Sequence, residues 1–110
     1  SIALVDHALR RRFAFLALQP NFEILRRFHQ ERQTGFPIDS LIVELRRLNQ
    51  QIDDPNYAVG ISFFLNDKLV SALGDIWQME IEPYLEEYFF DRPEAVAEFR
   101  WGKLRDKLSL

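Results

Sequence analysis

Ile38-Asp-Ser-Leu-Ile-Val-Glu-Leu-Arg-Arg-Leu-Asn-Gln-Gln-Ile52 decides the fold class of this chain. Its apolar residues, Ile38, Leu41, Ile42, Leu45, Leu48 and Ile52, recur at steps of three and four. Such spacing gathers them into one stripe of an α-helix, with Arg46, Arg47 and Gln50 facing away. Asp53-Asp-Pro-Asn56 stops that helix, and Thr34-Gly-Phe-Pro37 separates it from the one before. The earlier helix starts at Asn21, a good capping residue, carries Phe22, Leu25 and Phe28 inward, and ends near Arg32. Downstream, Tyr57 to Asp67 is a mixed stretch around Gly60 that turns back toward the core. A longer helical pattern follows through Leu69, Leu73, Ile76, Trp77, Ile81, Tyr84, Leu85, Tyr88 and Phe89, and Pro83 kinks or divides it. Asp91-Arg-Pro-Glu94 offers a cap, a first-turn proline and a third-position acid. It opens a last helix that runs to about Leu108, weakened by Gly102.

The first twenty residues read differently. Ile2, Val5 and Leu9 fall on one helical face that ends near Arg10. Phe13-Ala-Phe-Leu-Ala-Leu18 is a short apolar and aromatic run that suits a buried strand, and Gln19-Pro20-Asn21 is a stop. The expected architecture is therefore mainly α. A helix and a strand occupy residues 1–20, and a bundle of four or five helices occupies residues 21–110.

A chain of 110 residues with 47% apolar composition holds one domain, or a domain with an appendage, and is long enough to bury a core without staples. Zero cysteines exclude a disulfide scaffold, a zinc ribbon, an iron–sulfur site and a thiol nucleophile. Two isolated histidines, His7 and His29, are too few for a histidine-based metal site and read as surface or boundary residues. No apolar run approaches the roughly 18 residues of a membrane span, so a compact cytosolic domain with no membrane role is expected. The net charge of −3 is unevenly spread. Eight arginines face five acids in residues 1–50, whereas six basic residues face twelve acids in residues 51–110. A global basic field for nucleic acid is absent.

Arg10-Arg-Arg12 is the charge cluster with the sharpest chemistry. Successive side chains on a helix diverge by about 100°, so the three cannot share one direction. Arginine suits a phosphate that develops charge, because its planar fork donates two hydrogen bonds and stays ionised. One reading is a finger reaching a neighbouring subunit's γ-phosphate; the other is a solvated basic turn with one arginine paired to Asp6. Glu80, Glu82, Glu86, Glu87 and Asp91 read as a solvated acidic face rather than a magnesium site, since adjacent helical carboxylates diverge. Trp77, Tyr84, Tyr88 and Phe89 read as core. Trp101 stands off the main stripe and is a candidate exposed docking residue.

Three stretches together resemble a known family. Ser1-Ile-Ala-Leu-Val-Asp-His-Ala-Leu-Arg-Arg-Arg-Phe-Ala-Phe15 is similar to the segment after the sensor-1 strand in AAA+ NTPases of the McrB type, the nucleotide-hydrolysing subunits of modification-dependent (5-methylcytosine) restriction systems. Tyr57-Ala-Val-Gly-Ile-Ser-Phe-Phe64 resembles the family's Gly-His-Ser-Tyr-Phe stretch, and Ile81-Glu-Pro-Tyr-Leu-Glu-Glu-Tyr-Phe-Phe-Asp91 its Pro-Leu-Leu-Glu-Glu-Tyr-Phe-Phe-Asp stretch. Residues 21–56 match in helical character alone. The resemblance implies that residues 1–20 end an AAA+ α/β core and that residues 21–110 form its helical lid. It places Arg11 and Arg12, with Arg10 beside them, where the family carries trans-acting arginines, and Gly60 and Ser62 in the lid segment that approaches the nucleotide, a turn and a helix cap being the other reading of those two. The family's histidine stands here as Ile61, which donates nothing to a phosphate.

No Gly-x-x-x-x-Gly-Lys-[Ser/Thr] loop and no strand ending in Asp-Glu occur in these residues. The resemblance therefore implies the C-terminal piece of a larger protein that binds ATP or GTP with magnesium between subunits of a ring, while the piece alone binds neither and hydrolyses nothing. A nuclease subunit and modified DNA are the implied partners of the whole. With its strand at Phe13–Leu18 unpaired, the isolated piece is expected either to dimerise through residues 1–18 or to fold them back on the bundle as non-strand. The rival reading is a self-standing helical interaction module whose arginine cluster binds an acidic partner or nucleic acid phosphates.

Overall fold

A computed structural model describes residues 21–110. The expected helix and strand of residues 1–20, the dimer through residues 1–18, and Arg10, Arg11 and Arg12 lie outside the described residues. Within them the structure is mainly α, with no strand: α1 (Phe22–Glu31), α2 (Ile38–Ile52), a 3₁₀ turn (Ser62–Phe64), α3 (Leu69–Ile76), a π-helical turn (Trp77–Ile81), α4 (Glu82–Tyr88), α5 (Pro93–Ala97) and α6 (Trp101–Leu108). Because α3, the π turn and α4 run on without a break, the described helical units number five, within the expected four or five but divided at a different place.

Asn21 caps α1, its side-chain oxygen accepting the Ile24 N–H. The face that α1 buries is turned slightly from the expected one. Phe22, Leu25 and His29 are buried, and Phe28 is half-buried. His29 is thus no surface residue. Its ring fits inside because both nitrogens find partners there. Gly35, at φ +73°, turns the chain toward Pro37 and the start of α2. This central helix packs on both α1 and α6, and its stripe is buried throughout, with Leu41, Leu45 and Leu48 at 0% exposure. Asp53 closes α2 in the left-handed region, at φ 53°, and donates its N–H to the Asn49 carbonyl.

Arg46 and Gln50 do face away from the core, but Arg47 does not. The Arg47 guanidinium lies 4.5 Å from the centre of the Phe99 ring and bonds the buried Glu44 carboxylate at 3.1 Å. Pro83 does not break the run of helical residues from Leu69 to Tyr88. Proline has no N–H for the carbonyl four residues back and crowds that carbonyl. The helix widens just before it instead, with the Glu82 N–H reaching the Trp77 carbonyl five residues away.

The final segment is two helices, not one. Phe99 is drawn into the core, Arg100 is extended (φ −65°, ψ 151°), and α6 begins only at Trp101. Two contacts hold this break. Trp77 Nε1–H donates to the Phe99 carbonyl at 2.7 Å, and the Glu82 carboxylate accepts the Trp101 N–H at 2.9 Å. Glu82 also bonds Arg100 at 2.8 Å, which removes it from the expected solvated acidic face. At α5 the expected Asp91 cap is absent: Arg92 is the capping residue and makes no side-chain bond, while Pro93 sets the first turn.

Candidate functional site

The segment from Tyr57 to Phe64 holds Gly60 and Ser62, the two expected nucleotide-facing residues within the described chain. Its backbone is held from three sides. Asn49, on the last turn of α2, grips Val59 twice. Its Oδ1 accepts the Val59 N–H at 2.8 Å, and its Nδ2 donates to the Val59 carbonyl at 3.1 Å. The pair of bonds imitates a strand partner. From α4, Tyr84 donates its hydroxyl to the Tyr57 carbonyl at 2.7 Å, and Tyr88 donates to the Ile52 carbonyl at 2.8 Å. Burial, with Asp54 nearby, raises the Tyr88 phenol above its ordinary value and so retains the proton that bond needs.

The third hold comes from α1. His29 Nε2 lies 2.9 Å from the Phe64 carbonyl, and Nδ1 lies 2.7 Å from Thr34 Oγ1. A carbonyl only accepts, so Nε2 carries the hydrogen. Thr34 Oγ1 also accepts the Phe36 N–H at 3.4 Å. Each ring nitrogen therefore has a partner.

Between these holds, Val59, Gly60 and Ile61 are buried and Ser62 is half-buried. Ile61 is 1% exposed and belongs to the core, so the departure from the family's histidine fills the bundle rather than a ligand site. The Phe64 N–H closes the 3₁₀ turn on the Ile61 carbonyl at 2.9 Å. Gly60 therefore stands two residues before Ser62, which opens the 3₁₀ turn, in a short segment whose two ends are fixed to different helices. Sequence reasoning passed over Asn49, His29 and the two tyrosine hydroxyls. A signal for Asn49 was present: it is a polar residue spaced with Ile38, Ile42, Leu45 and Ile52, where a stripe carries an amide only if something buried needs it.

The remaining chemistry is structural. Trp101 is half-buried, its indole lying against Gly74, and is not an exposed docking residue. Trp77 and Phe89 are buried and Tyr84 and Tyr88 half-buried, as core residues should be. Among the described residues no group of three histidines, cysteines or carboxylates is placed to hold a metal ion. None of the helices described is long and apolar enough to cross a membrane.

The family model for the McrB alpha-helical lid domain matches residues 40–97, from the first turn of α2 to the end of α5. This chain belongs to the McrB lid family. The match covers more than half of the chain and contains the whole gripped segment. The chain is also 36% identical, over 109 aligned positions, to the type IV methyl-directed restriction enzyme EcoKMcrB subunit of Escherichia coli K12. That alignment takes in 84% of this chain but 24% of the relative, so the chain spans about a quarter of that protein's length. No solved structure matches the lid chain.

Proposed function

We propose that this McrB-type lid works in a ring-forming NTPase that hydrolyses ATP or GTP with magnesium, residues 1–20 being the end of its α/β core and residues 21–110 the lid. The lid match over residues 40–97 carries this reading. In it the Gly60–Ser62 turn faces the nucleotide. The described residues contain no carboxylate cluster for magnesium, so the lid covers the nucleotide while other parts of the protein hold the ion. Arg11 or Arg12 reaches across to the nucleotide of the neighbouring subunit. A guanidinium suits that role because it stays ionised and offers paired N–H donors to oxygens that gain negative charge. The same protein acts with a nuclease subunit on modified DNA, as the name of the E. coli relative suggests.

The test is hydrolysis by the complete protein. Arg11→Ala or Arg12→Ala should lower turnover by about 10³ or more while nucleotide binding persists. Mixing such a subunit with one whose phosphate-binding lysine is replaced should restore part of the activity, since each then supplies what the other lacks. Unchanged turnover in both arginine variants would refute the finger. Salt-dependent DNA binding by this chain alone, lost when all three arginines are replaced, would favour the interaction module instead.

A further inference from the structure

We propose that Asn49 and His29 are positioning residues that fix where the Gly60–Ser62 turn stands against the nucleotide, each acting through the loop backbone. The inference rests on the reading of that turn as nucleotide-facing. Both side chains are polar groups on apolar helix faces, His29 with 3% exposure. Neither bonds its own helix. Asn49 reaches a residue ten positions ahead, and His29 one thirty-five positions ahead. Their two attachments, at Val59 and at Phe64, bracket Gly60, Ile61, Ser62 and Phe63. Between them the buried Ile61 side chain adds a further hold.

A segment with glycine at its start samples a wide range of backbone angles unless something outside it sets them. Here the setting comes from α1 and α2 together, so the turn moves with the bundle as one body. Nucleotide contact at Gly60–Ser62 is then passed to the whole lid, and is not absorbed by a soft loop. The chemistry at each hold is specific. Leucine at position 49 fills the space but makes neither bond, whereas aspartate accepts from the Val59 N–H and has nothing to donate to the carbonyl. At position 29 glutamine places an N–H donor near that of Nε2, and leucine places none.

Residue-resolved amide exchange on the 110-residue chain is the first readout. In Asn49→Leu, and in the milder Asn49→Asp, the amides of residues 59–63 should exchange at least tenfold faster, with those in the middle of α2 and α4 unchanged. His29→Leu should loosen residues 62–64, and His29→Gln should largely restore them. Loop exchange that stays at the wild-type rate in folded variants overturns the proposal, whatever the turn faces. The second readout is nucleotide KM in the complete protein, expected to rise fivefold or more in Asn49→Leu and His29→Leu with kcat within twofold, and to recover in His29→Gln. Ser62→Ala separates the two ideas. If it shifts KM and the loosened variants do not, the turn faces nucleotide but the positioning role fails. If none of them shifts KM, the reading of the turn fails first.

Discussion

At Gly74 the missing methyl group admits Trp101. A Cβ built there lies 3.2 Å from Trp101 Cζ2 and 3.3 Å from Cε2, closer than such atoms comfortably pack. The indole is not free to swing off, because it is half-buried and packed against the core. Gly102, on the exposed side of α6, has nothing within 4 Å of the same construction. Alanine gains about 1 kcal/mol over glycine inside a helix from backbone entropy, while crowding a packed contact costs about 1–3 kcal/mol. Gly102→Ala should therefore raise stability by about 0.5–1 kcal/mol. Gly74→Ala should lower it by up to about 2 kcal/mol, with a shift in tryptophan fluorescence. Urea titration of the two variants checks both signs. Trp101 also shows why its role was hidden in the sequence. Its partner lies 27 positions earlier, on another helix, and no local period connects them. His29 and Arg47 were misplaced for a related reason: a polar side chain looks solvated until the distant carbonyl, carboxylate or ring that receives it is known.

Single helices carry their signal in their own spacing, and there the sequence was most readable. The stripe of α2, the Asn21 cap of α1 and the long pattern from Leu69 to Phe89 all needed only residues one or two turns apart. The split between α5 and α6 did not show, because Trp77 and Glu82 impose it from outside. Glu44 offers a test of how such elements are joined. It is buried on α2 and bonds both Arg47 and Lys107, the latter on α6, at 3.1 Å. Burial alone would raise its pKa, but the hydrogen bonds and charges of Arg47 and Lys107 outweigh that and hold it below the ordinary carboxylate value. The ionised form is thus favoured by folding. Its contribution is complete above the unfolded carboxylate pKa and is lost as the pH falls through the lower folded value. Glu44→Gln should cost about 1 kcal/mol at neutral pH, since Arg47 and Lys107 are partly in water and the pair is screened. Wild type and variant should converge in acid. A difference that persists below the carboxylate range would mean that packing, not charge, is what Glu44 supplies.

On the scale of the whole molecule, the described helices share a single core. One core runs from Phe22 to Leu108 and encloses Trp77, Phe64 and Phe89. No phosphate-cradling Gly-x-x-x-x-Gly-Lys-[Ser/Thr] loop is among these 110 residues. Under the proposed function the lid meets nucleotide along one edge, through a stretch with a single hydroxyl, and a few contacts of that sort do not produce useful affinity by themselves. The chain alone should accordingly hydrolyse neither ATP nor GTP. Its unfolding midpoint should also stay where it is when either nucleotide is added with magnesium. The second measurement is the more searching, because any ligand that binds the folded state stabilises it by RT ln(1 + [L]/Kd), with or without turnover. At a nucleotide concentration a hundred times Kd that gain is about 2.7 kcal/mol, which moves the midpoint of a domain this size by well over 5 °C. A clear shift would mean that the lid holds a nucleotide site of its own, and the Gly60–Ser62 turn would be the first place to look. A flat result, with affinity appearing only in the complete protein, is what a covering domain requires, because its binding energy is then used to close the lid over a nucleotide already held elsewhere.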